Sequence, residues 1–290
     1  MYEILKKKIL EIKRNNDEKN VDCIGINLNQ NGEIKYKIYY LNEPKSSFKV
    51  KGNNNFMNIL KEWEETKMIK KPMIIDDNNS GINRWEINLP LNDDIRVKYL
   101  IDRLCEITDL ARENRDEIIK FSKMKILDDA SFSMAALYYL GFIEKNNEID
   151  ALKMHYATRK EKNYKTLYDD KYFIDYMKKI NINELNNVIT YVEKLLEASL
   201  GHLQLVGADY FKNGLKKYKV YLKVENQNFE NINSEIKKFD FAKKDEILTE
   251  LDKCKDFILN MTDAKLFLTY VAICYDEKNK NSINLYFNLQ

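Results

Sequence analysis

Charged and apolar residues alternate most regularly in the stretch GLKKYKVYLKV at residues 214–224. In a β-strand alternate residues point to opposite faces, so this stretch has one apolar face and one face of lysines and a phenol. The polar face consists of Lys217, Lys219, Tyr221 and Lys223. A second apolar stretch, HLQLVGADYF at 202–211, precedes it, with Asn213-Gly214 between them. Because Asn-Gly is a preferred pair for a tight turn, residues 202–224 are predicted to form a β-hairpin.

The same hairpin pattern recurs along the chain, and helical patterns separate its copies. The other predicted hairpins span 22–41, with a turn at Asn31-Gly32, 134–159, with a turn at KNNE, 265–289, with a turn at EKNKN, and, more weakly, 72–89, with a bend at Ser80-Gly81. Apolar residues at helical spacing occur in 1–14, 55–68, 93–124, 170–199 and 229–259. This order indicates five αββ units, not the βαβ units of a parallel sheet.

The second strand of each predicted hairpin has one polar and one apolar face. Helices must cover the apolar faces, so the polar faces point away from the helices. In an open sheet the polar faces would contact solvent, whereas in a closed sheet they would line a lumen and no edge strand would be exposed. We therefore predict an α+β fold, a ten-stranded antiparallel β-barrel of five repeated hairpins ringed by α-helices. No Pro-, Gly- or Ser-rich linker divides the chain, which predicts a single domain of residues 1–290.

Composition limits the classes of function. The chain has 48 basic and 46 acidic residues, which argues against a nucleic-acid partner but allows a local basic pocket. Its four cysteines have no metal-ligand spacing and only two histidines are present, so no metal site is expected. Unpaired cysteines favour a cytoplasmic location. No apolar run reaches the length of a membrane-spanning helix, so no membrane partner is expected.

Lys-x-Tyr elements recur on the polar faces of the second strands. They read KIY at 37–39 and KYKVY at 217–221, with the variants KMH at 153–155 and NLY at 284–286. Together with the repeated hairpins, these elements resemble the αββα-type (ABBA) aromatic prenyltransferases, whose fold is a ten-stranded antiparallel barrel ringed by helices. Within that family, the stretches ALKMHYATR and LQLVGADYFKNGLKKYKVYLKV are most similar to the cyanobactin-type peptide prenyltransferases. The pattern spans nearly the whole chain, and the segment 72–89 departs from it most.

The resemblance implies transfer of a prenyl group, with dimethylallyl the expected one, from an allylic diphosphate donor to an aromatic small molecule or a peptide side chain. The leaving pyrophosphate needs several cations in a protected site. The residues expected to bind the diphosphate are Lys37, Arg84, Lys153, His155, Lys217 and Lys219. Tyr39, Tyr221 and Tyr286 are expected to contact phosphate oxygens and to shield the allyl cation by cation–π attraction.

A general base should take the proton that the acceptor loses. In the family an acidic residue near the start of the first strand does this, and its counterpart here is Asp22. Strict alternation, however, puts Asp22 on the helix-facing side of the strand unless a β-bulge re-aims it. Glu86, on a polar strand face, is the other candidate. No Asp pair has the DDxxD spacing of Mg²⁺-binding isoprenoid enzymes, so no cofactor is expected to be required, and Mg²⁺ would at most bind together with the diphosphate.

Two other interpretations of the pattern stay open. A non-catalytic barrel would bind a small anionic or amphipathic ligand, although a binder of apolar ligands would not need lysines on adjacent strands. An open sheet with a solvated lysine face would suit a structural or partner-binding protein, and a single Lys-x-Tyr strand is most often such a face. The identity of the acceptor and the chain length of the donor are not encoded in these patterns, because they depend on loops and on the depth of the lumen.

Overall fold

The structure, a computed structural model, describes most of the 290 residues. The described residues are 2–16, 21–41, 61–66, 73–77, 82–88, 94–122, 137–146, 148–157, 161–162, 165–166, 170–197, 201–224, 234, 237, 244–261, 266–278 and 280–289. The predicted bend at Ser80-Gly81 and the first part of the predicted helix 55–68 lie outside the described residues.

The long β-strands pair antiparallel into one closed barrel. They are β1 (Val21–Asn29), β2 (Ile34–Tyr40), β3 (Met73–Asp77), β4 (Ile82–Asn88), β5 (Leu137–Lys145), β6 (Glu148–Ala157), β9 (His202–Phe211), β10 (Lys216–Lys223), β11 (Leu266–Asp276) and β12 (Lys280–Leu289). The order around the barrel is β1-β12-β11-β10-β9-β6-β5-β4-β3-β2, and β2 pairs again with β1. The short strands β7 (Glu161–Lys162) and β8 (Lys165–Thr166) form a separate sheet that the sequence patterns did not predict.

Tight turns connect the strands where the Asn-Gly pairs predicted them. Gly32 has a φ of 80° in the turn between β1 and β2, and Gly214 has a φ of 81° in the turn between β9 and β10. This left-handed backbone conformation carries no steric penalty for glycine, which explains the residue type at both positions. Between β5 and β6, Asn146 takes the left-handed conformation with a φ of 52°.

Two of the predicted helical segments, 93–124 and 170–199, are each divided into shorter helices. The helices that the structure describes are α1 (Tyr2–Arg14), α2 (61–65), α3 (Asp94–Ile107), α4 (Asp109–Glu113), α5 (Arg115–Ser122), α6 (Asp170–Ile180), α7 (Asn183–Glu197) and α8 (Lys244–Met261). The pattern over 93–124 breaks at Thr108, whose side chain accepts a hydrogen bond from the Leu110 N–H and so begins α4. The pattern over 170–199 breaks at Asn181, where a φ of 60° ends α6.

The apolar faces of the strands and helices meet in one core on the outer side of the barrel. On β1 the buried outward residues are Ile24, Ile26 and Leu28. Helix α7 packs Val188 and Val192 in the same core and contacts β10 and β11. Each fully buried aliphatic side chain of this kind contributes about 1.5–3 kcal/mol. Because the helices cover the outer faces, the polar strand faces are left on the inside of the barrel.

The predicted architecture, an antiparallel barrel with helices packed outside it, is confirmed in this coarse form. The assignment of residues 1–290 to a single domain stays a prediction. Within the part of the chain that the structure describes, no helix is both long enough and apolar enough to cross a membrane.

Candidate active site

The inward faces of the strands line a cavity of about 170 Å³. Most of the residues predicted for the site lie around it, namely Asp22, Lys37, Tyr39, Glu86, Lys153, His155, Lys219, Tyr221 and Tyr286. They come from β1, β2, β4, β6, β10 and β12, so the cavity is enclosed from all sides of the barrel. A space of this size holds several water-sized groups and suits a small ligand.

A β-bulge at the start of β1 turns Asp22 away from the orientation that strict alternation predicts. The pairing between β1 and β2 shifts register between Val21 and Cys23, and both Asp22 and Cys23 line the cavity. The expectation that Asp22 faces the helices is therefore wrong, and the extra residue of the bulge is the reason. Burial raises the pKa of Asp22, and a hydrogen bond with Cys23 opposes that shift.

Four lysines contribute the positive charge of the cavity. Lys37 and Lys153 lie on β2 and β6, and Lys219 and Lys223 lie on β10. Lys219 forms a buried ion pair with Asp209, with Nζ at 2.6 Å from Oδ1 and 2.5 Å from Oδ2. Burial alone would raise the pKa of Asp209, but the charges of Lys219 and Lys153 outweigh it and the net shift is downward. Asp209 is therefore ionised and offsets part of the lysine charge.

Glu86 and His155 meet in the same cavity. The His155 Nδ1 atom lies 3.4 Å from Glu86 Oε1, and His155 Nε2 lies 3.1 Å from the hydroxyl of Tyr221. Burial, reinforced by the charge of Lys219, lowers the pKa of His155 to about 3, so the ring is neutral at physiological pH. Burial raises the pKa of Glu86, while Lys153, Lys219 and Lys37 act in the opposite direction.

Tyrosine rings form one wall of the cavity. The Tyr286 ring lies 5.8 Å from the Tyr221 ring and 6.1 Å from the Tyr39 ring, measured between centroids. Gly25 allows this packing, because a Cβ there would come within 3.3 Å of Tyr286 and 3.5 Å of Tyr39. Burial raises the pKa of Tyr39, Tyr221 and Tyr286, so all three hydroxyls stay protonated at neutral pH.

Two predicted residues are not part of this arrangement as described. Lys217 lies nearer the end of β10, where its Nζ donates to Ser282 Oγ at 3.3 Å and lies 3.6 Å from Asp276 Oδ2. It does not line the cavity in the described part of the chain. Arg84 belongs to β4, and its side chain is outside the described residues. The diphosphate-binding role given to both residues stays a prediction.

The sequence reasoning missed several cavity residues because it compared only the second strand of each hairpin. Asp209 on β9, Tyr139 on β5 and Tyr270 on β11 belong to first strands and line or adjoin the same cavity. Asp209 carried a signal, since it is an acid within the otherwise apolar stretch HLQLVGADYF. Tyr138 also lines the cavity, next to a register shift between Leu137 and Tyr139 that alternation does not predict.

Metal-ligating residue types are present in the cavity but do not form a metal cluster. Across the described ranges, no group of three or more His, Cys, Asp or Glu side chains is arranged to hold a metal ion. The metal dependence of any reaction here stays a prediction.

Comparison with solved structures identifies the fold. AnaPT from Neosartorya fischeri superposes with a TM-score of 0.59 at 14% identity, covering 92% of this chain and 78% of that chain. The NotF prenyltransferase gives a TM-score of 0.57 at 10% identity, covering 92% of this chain and 80% of that one. A 5-dimethylallyl tryptophan synthase from Streptomyces coelicolor, in complex with DMASPP and Trp, gives 0.54 at 8% identity, covering 94% and 79%.

These neighbours are ABBA-type aromatic prenyltransferases, and at such low identity the likeness shows the fold alone. No protein-family model matches the chain, and no curated protein sequence matches it either. The chain thus shares with these neighbours an antiparallel β-sheet fold with helices packed outside it, while the five repeated hairpins and the similarity to the cyanobactin-type subfamily stay predictions.

Proposed function

We propose that this protein transfers a prenyl group, dimethylallyl in the first instance, from an allylic diphosphate to an aromatic or peptide side-chain nucleophile. The observation that supports the proposal most strongly is the convergence of Lys37, Lys153 and Lys219 with a wall of tyrosine rings inside one barrel. A lumen in which lysines and tyrosines lie two residues apart on the same strands suits a substrate that has an anionic head and a cation-forming tail.

The lysines would bind the diphosphate and stabilise the leaving pyrophosphate. Buried ammonium groups interact strongly with phosphate oxygens because water screens them little. Lys153 and Lys219 are at most a tenth exposed, so they meet this condition. Arg84, Lys217 and His155 are the further diphosphate-binding residues that the resemblance implies. No metal is required in this scheme, and Mg²⁺ would enter at most with the diphosphate.

The tyrosines would protect the allyl cation until the acceptor attacks it. Tyr39, Tyr221 and Tyr286 line the cavity with aromatic rings and neutral hydroxyls, which would favour a cation and exclude water. Asp22 and Glu86 are the candidates for the base that takes the acceptor proton. NotF binds brevianamide F and DMSPP, and the Streptomyces coelicolor synthase binds DMASPP and Trp. By analogy, an indole or another electron-rich ring, free or within a peptide, is the acceptor to try first.

A ligand-binding and turnover experiment tests the proposal. Dimethylallyl diphosphate and geranyl diphosphate should each raise the thermal unfolding temperature of the protein, both with and without EDTA. When tryptophan or a tyrosine-containing peptide is added, at least one of the two donors should release pyrophosphate. Lys37→Met should lose most of this stabilisation. The matched control is Lys35→Met on the same strand, because Lys35 is exposed and pairs with Glu33.

The alternative, a non-catalytic barrel, gives a different result. Stabilisation by inorganic pyrophosphate or by an amphipathic anion, without turnover of either allylic diphosphate, would support a binding protein. Absence of stabilisation by the allylic diphosphates, by pyrophosphate and by the amphipathic anion would contradict both functions. The single domain and the cytoplasmic location stay predictions alongside this proposal.

A further inference from the structure

Three side chains from different strands form a continuous line across the cavity wall. Glu86 Oε1 on β4 lies 3.4 Å from His155 Nδ1 on β6, and His155 Nε2 lies 3.1 Å from the Tyr221 hydroxyl on β10. His155 and Tyr221 are both buried, and the Glu86 side chain is 14% exposed. The line therefore runs from the cavity surface at Tyr221 to a carboxylate that also lines the cavity.

Two glycines lie in register with the side chains of this line. In the register of the barrel, Gly141 on β5 lies opposite Glu86 of β4, and Gly207 on β9 lies opposite His155 of β6. A Cβ on Gly207 would come within 2.7 Å of His155 Cδ2, so the imidazole occupies the space that a side chain would fill. The Tyr221 ring stands nearly perpendicular to the imidazole, at 88° and 5.3 Å between centroids.

The charge of Glu86 selects one tautomer of His155. A neutral imidazole carries one N–H, so one ring nitrogen donates and the other accepts. If Nε2 held the proton, the lone pair of Nδ1 would face the carboxylate oxygen 3.4 Å away, which is repulsive. With the proton on Nδ1, that nitrogen faces Glu86 and Nε2 accepts a hydrogen bond from the Tyr221 hydroxyl.

The Nδ1–Oε1 separation is longer than a formed hydrogen bond, and Nδ1 makes no hydrogen bond within the described residues. Contacts of this kind are often loose before a substrate binds and shorten when the site fills. A shift of Glu86 by about 0.5 Å would bring the two atoms to the usual N–H···O distance. The line of side chains thus lacks only a short Nδ1–H···Oε1 hydrogen bond, and each group in it donates toward the next one, from Tyr221 through His155 to Glu86.

We propose that Tyr221, His155 and Glu86 form a proton relay that carries the proton lost by the prenyl acceptor to Glu86. This inference rests on the proposed function. The C–O bond of the allylic diphosphate breaks and its electron pair leaves with pyrophosphate, and a bond forms between the allyl carbon and the acceptor. The acceptor proton then moves to the Tyr221 oxygen as the Tyr221 proton moves to His155 Nε2 and the Nδ1 proton moves to Glu86.

The relay needs no strong base at the point of contact. An aromatic ring that has just been alkylated is a very strong acid, so a hydroxyl oxygen is a sufficient acceptor when its own proton has somewhere to go. Tyr221 alone touches the acceptor in this scheme, while His155 and Glu86 act through it. After the product leaves, the Glu86 proton returns to His155 Nδ1, the Nε2 proton returns to the Tyr221 oxygen, and Tyr221 gives its other proton to water in the cavity, so the side chains recover their starting state.

The relay separates ionisation of the donor from completion of the transfer, and the test uses this separation. Ionisation is followed by release of pyrophosphate and by scrambling of a bridging ¹⁸O label in recovered dimethylallyl diphosphate. Completion is followed by the prenylated acceptor, free tryptophan or a tyrosine-containing peptide, whichever the wild type modifies. Glu86→Gln should reduce completion on the order of 100-fold while ionisation changes less than about threefold. Tyr221→Phe also removes a hydroxyl expected to contact the donor, so it should reduce ionisation as Tyr39→Phe does and completion by a much larger factor.

A matched variant and chemical rescue distinguish a relay from a structural role. Tyr39→Phe removes a hydroxyl from the same aromatic wall but not from the relay, so ionisation and completion should fall together. In His155→Ala, imidazole should restore completion, whereas 1-methylimidazole, which fills the space without an N–H, should not. Equal rescue by both compounds, or full completion in Glu86→Gln, would overturn the relay.

Failure of the relay and failure of the proposed function give different results. If the wild type neither releases pyrophosphate nor scrambles the label, the proposed function fails and the relay with it. If the wild type completes the transfer and Glu86→Gln does so at the same rate, the transfer stands and the proton leaves by another route, such as Asp22 or the pyrophosphate.

Discussion

Acidification from pH 7 to pH 5 should destabilise the fold through His155. Burial lowers the pKa of His155 to about 3 from its usual value of 6.5, so the folded protein keeps the ring neutral at both pH values. The unfolded chain protonates it below pH 6.5 and therefore binds more protons. Stability consequently falls as the pH drops below 6.5, by about 1.4 kcal/mol per pH unit. At pH 5 the loss amounts to about 2 kcal/mol.

Urea denaturation at pH 7 and pH 5 measures this loss. The free energy of unfolding of the wild type should fall by about 2 kcal/mol more than that of His155→Gln between the two pH values. The raised pKa of Glu86 acts in the opposite direction, but it is present in both proteins and drops out of the difference. His202→Gln, which removes a half-exposed imidazole, serves as the control and should behave like the wild type. Equal losses in the wild type and His155→Gln would refute the reasoning.

Three further outcomes are expected at the cavity. The Asp209→Asn variant should bind inorganic pyrophosphate about tenfold more tightly than the wild type, because the substitution removes the carboxylate that competes with pyrophosphate for Lys219. Calorimetry measures the affinity, and weaker binding by the variant would contradict this prediction. Gly207→Ala should cost about 1–3 kcal/mol in denaturation experiments and reduce product formation, since the new Cβ displaces His155; an unchanged variant would argue against that packing. EDTA should leave the calorimetric affinity for dimethylallyl diphosphate unchanged within about twofold, because lysines hold the charge, and loss of binding would indicate a metal.

Period-two alternation was sufficient to predict the barrel wall, because it reports directly which face of a strand the helices cover. Lys37, Lys219 and Tyr221 all lie on the cavity side that this reasoning gave them. The positions of these turns could also be predicted from the sequence, because Gly32 and Gly214 adopt backbone conformations that favour glycine. These features depend on local sequence and on burial alone.

Alternation failed where a strand departs from regular pairing. Asp22 and Cys23 are consecutive residues, yet both line the cavity, because a bulge inserts one residue relative to β2. The position of a bulge depends on the partner strand as much as on the bulged one, so a single strand does not reveal it. The sequence pattern did not predict the helix breaks at Thr108 and Asn181 either, because the apolar periodicity continues across both positions.

The contacts that give the site its chemistry depend on which strands become neighbours. Lys153 faces Asp209 only because β6 pairs with β9, strands that are separated along the chain by two helices. Glu86 reaches His155 only across β5, on which Gly141 is the residue opposite Glu86. The residue types on the cavity face could therefore be predicted one strand at a time. The ion pairs and the contacts of His155 could not be predicted in this way, because they depend on which strands are neighbours in the closed barrel.

The most direct test of the account is whether the lysine and tyrosine lining converts an allylic diphosphate. Purified wild-type protein is incubated with dimethylallyl diphosphate and tryptophan or a tyrosine-containing peptide, and pyrophosphate and prenylated product are quantified together. We expect equal amounts of both from the wild type, and a loss of both in Lys153→Met that Lys35→Met does not show. A folded wild-type protein that releases no pyrophosphate from dimethylallyl or geranyl diphosphate, with any of these acceptors, would contradict the account.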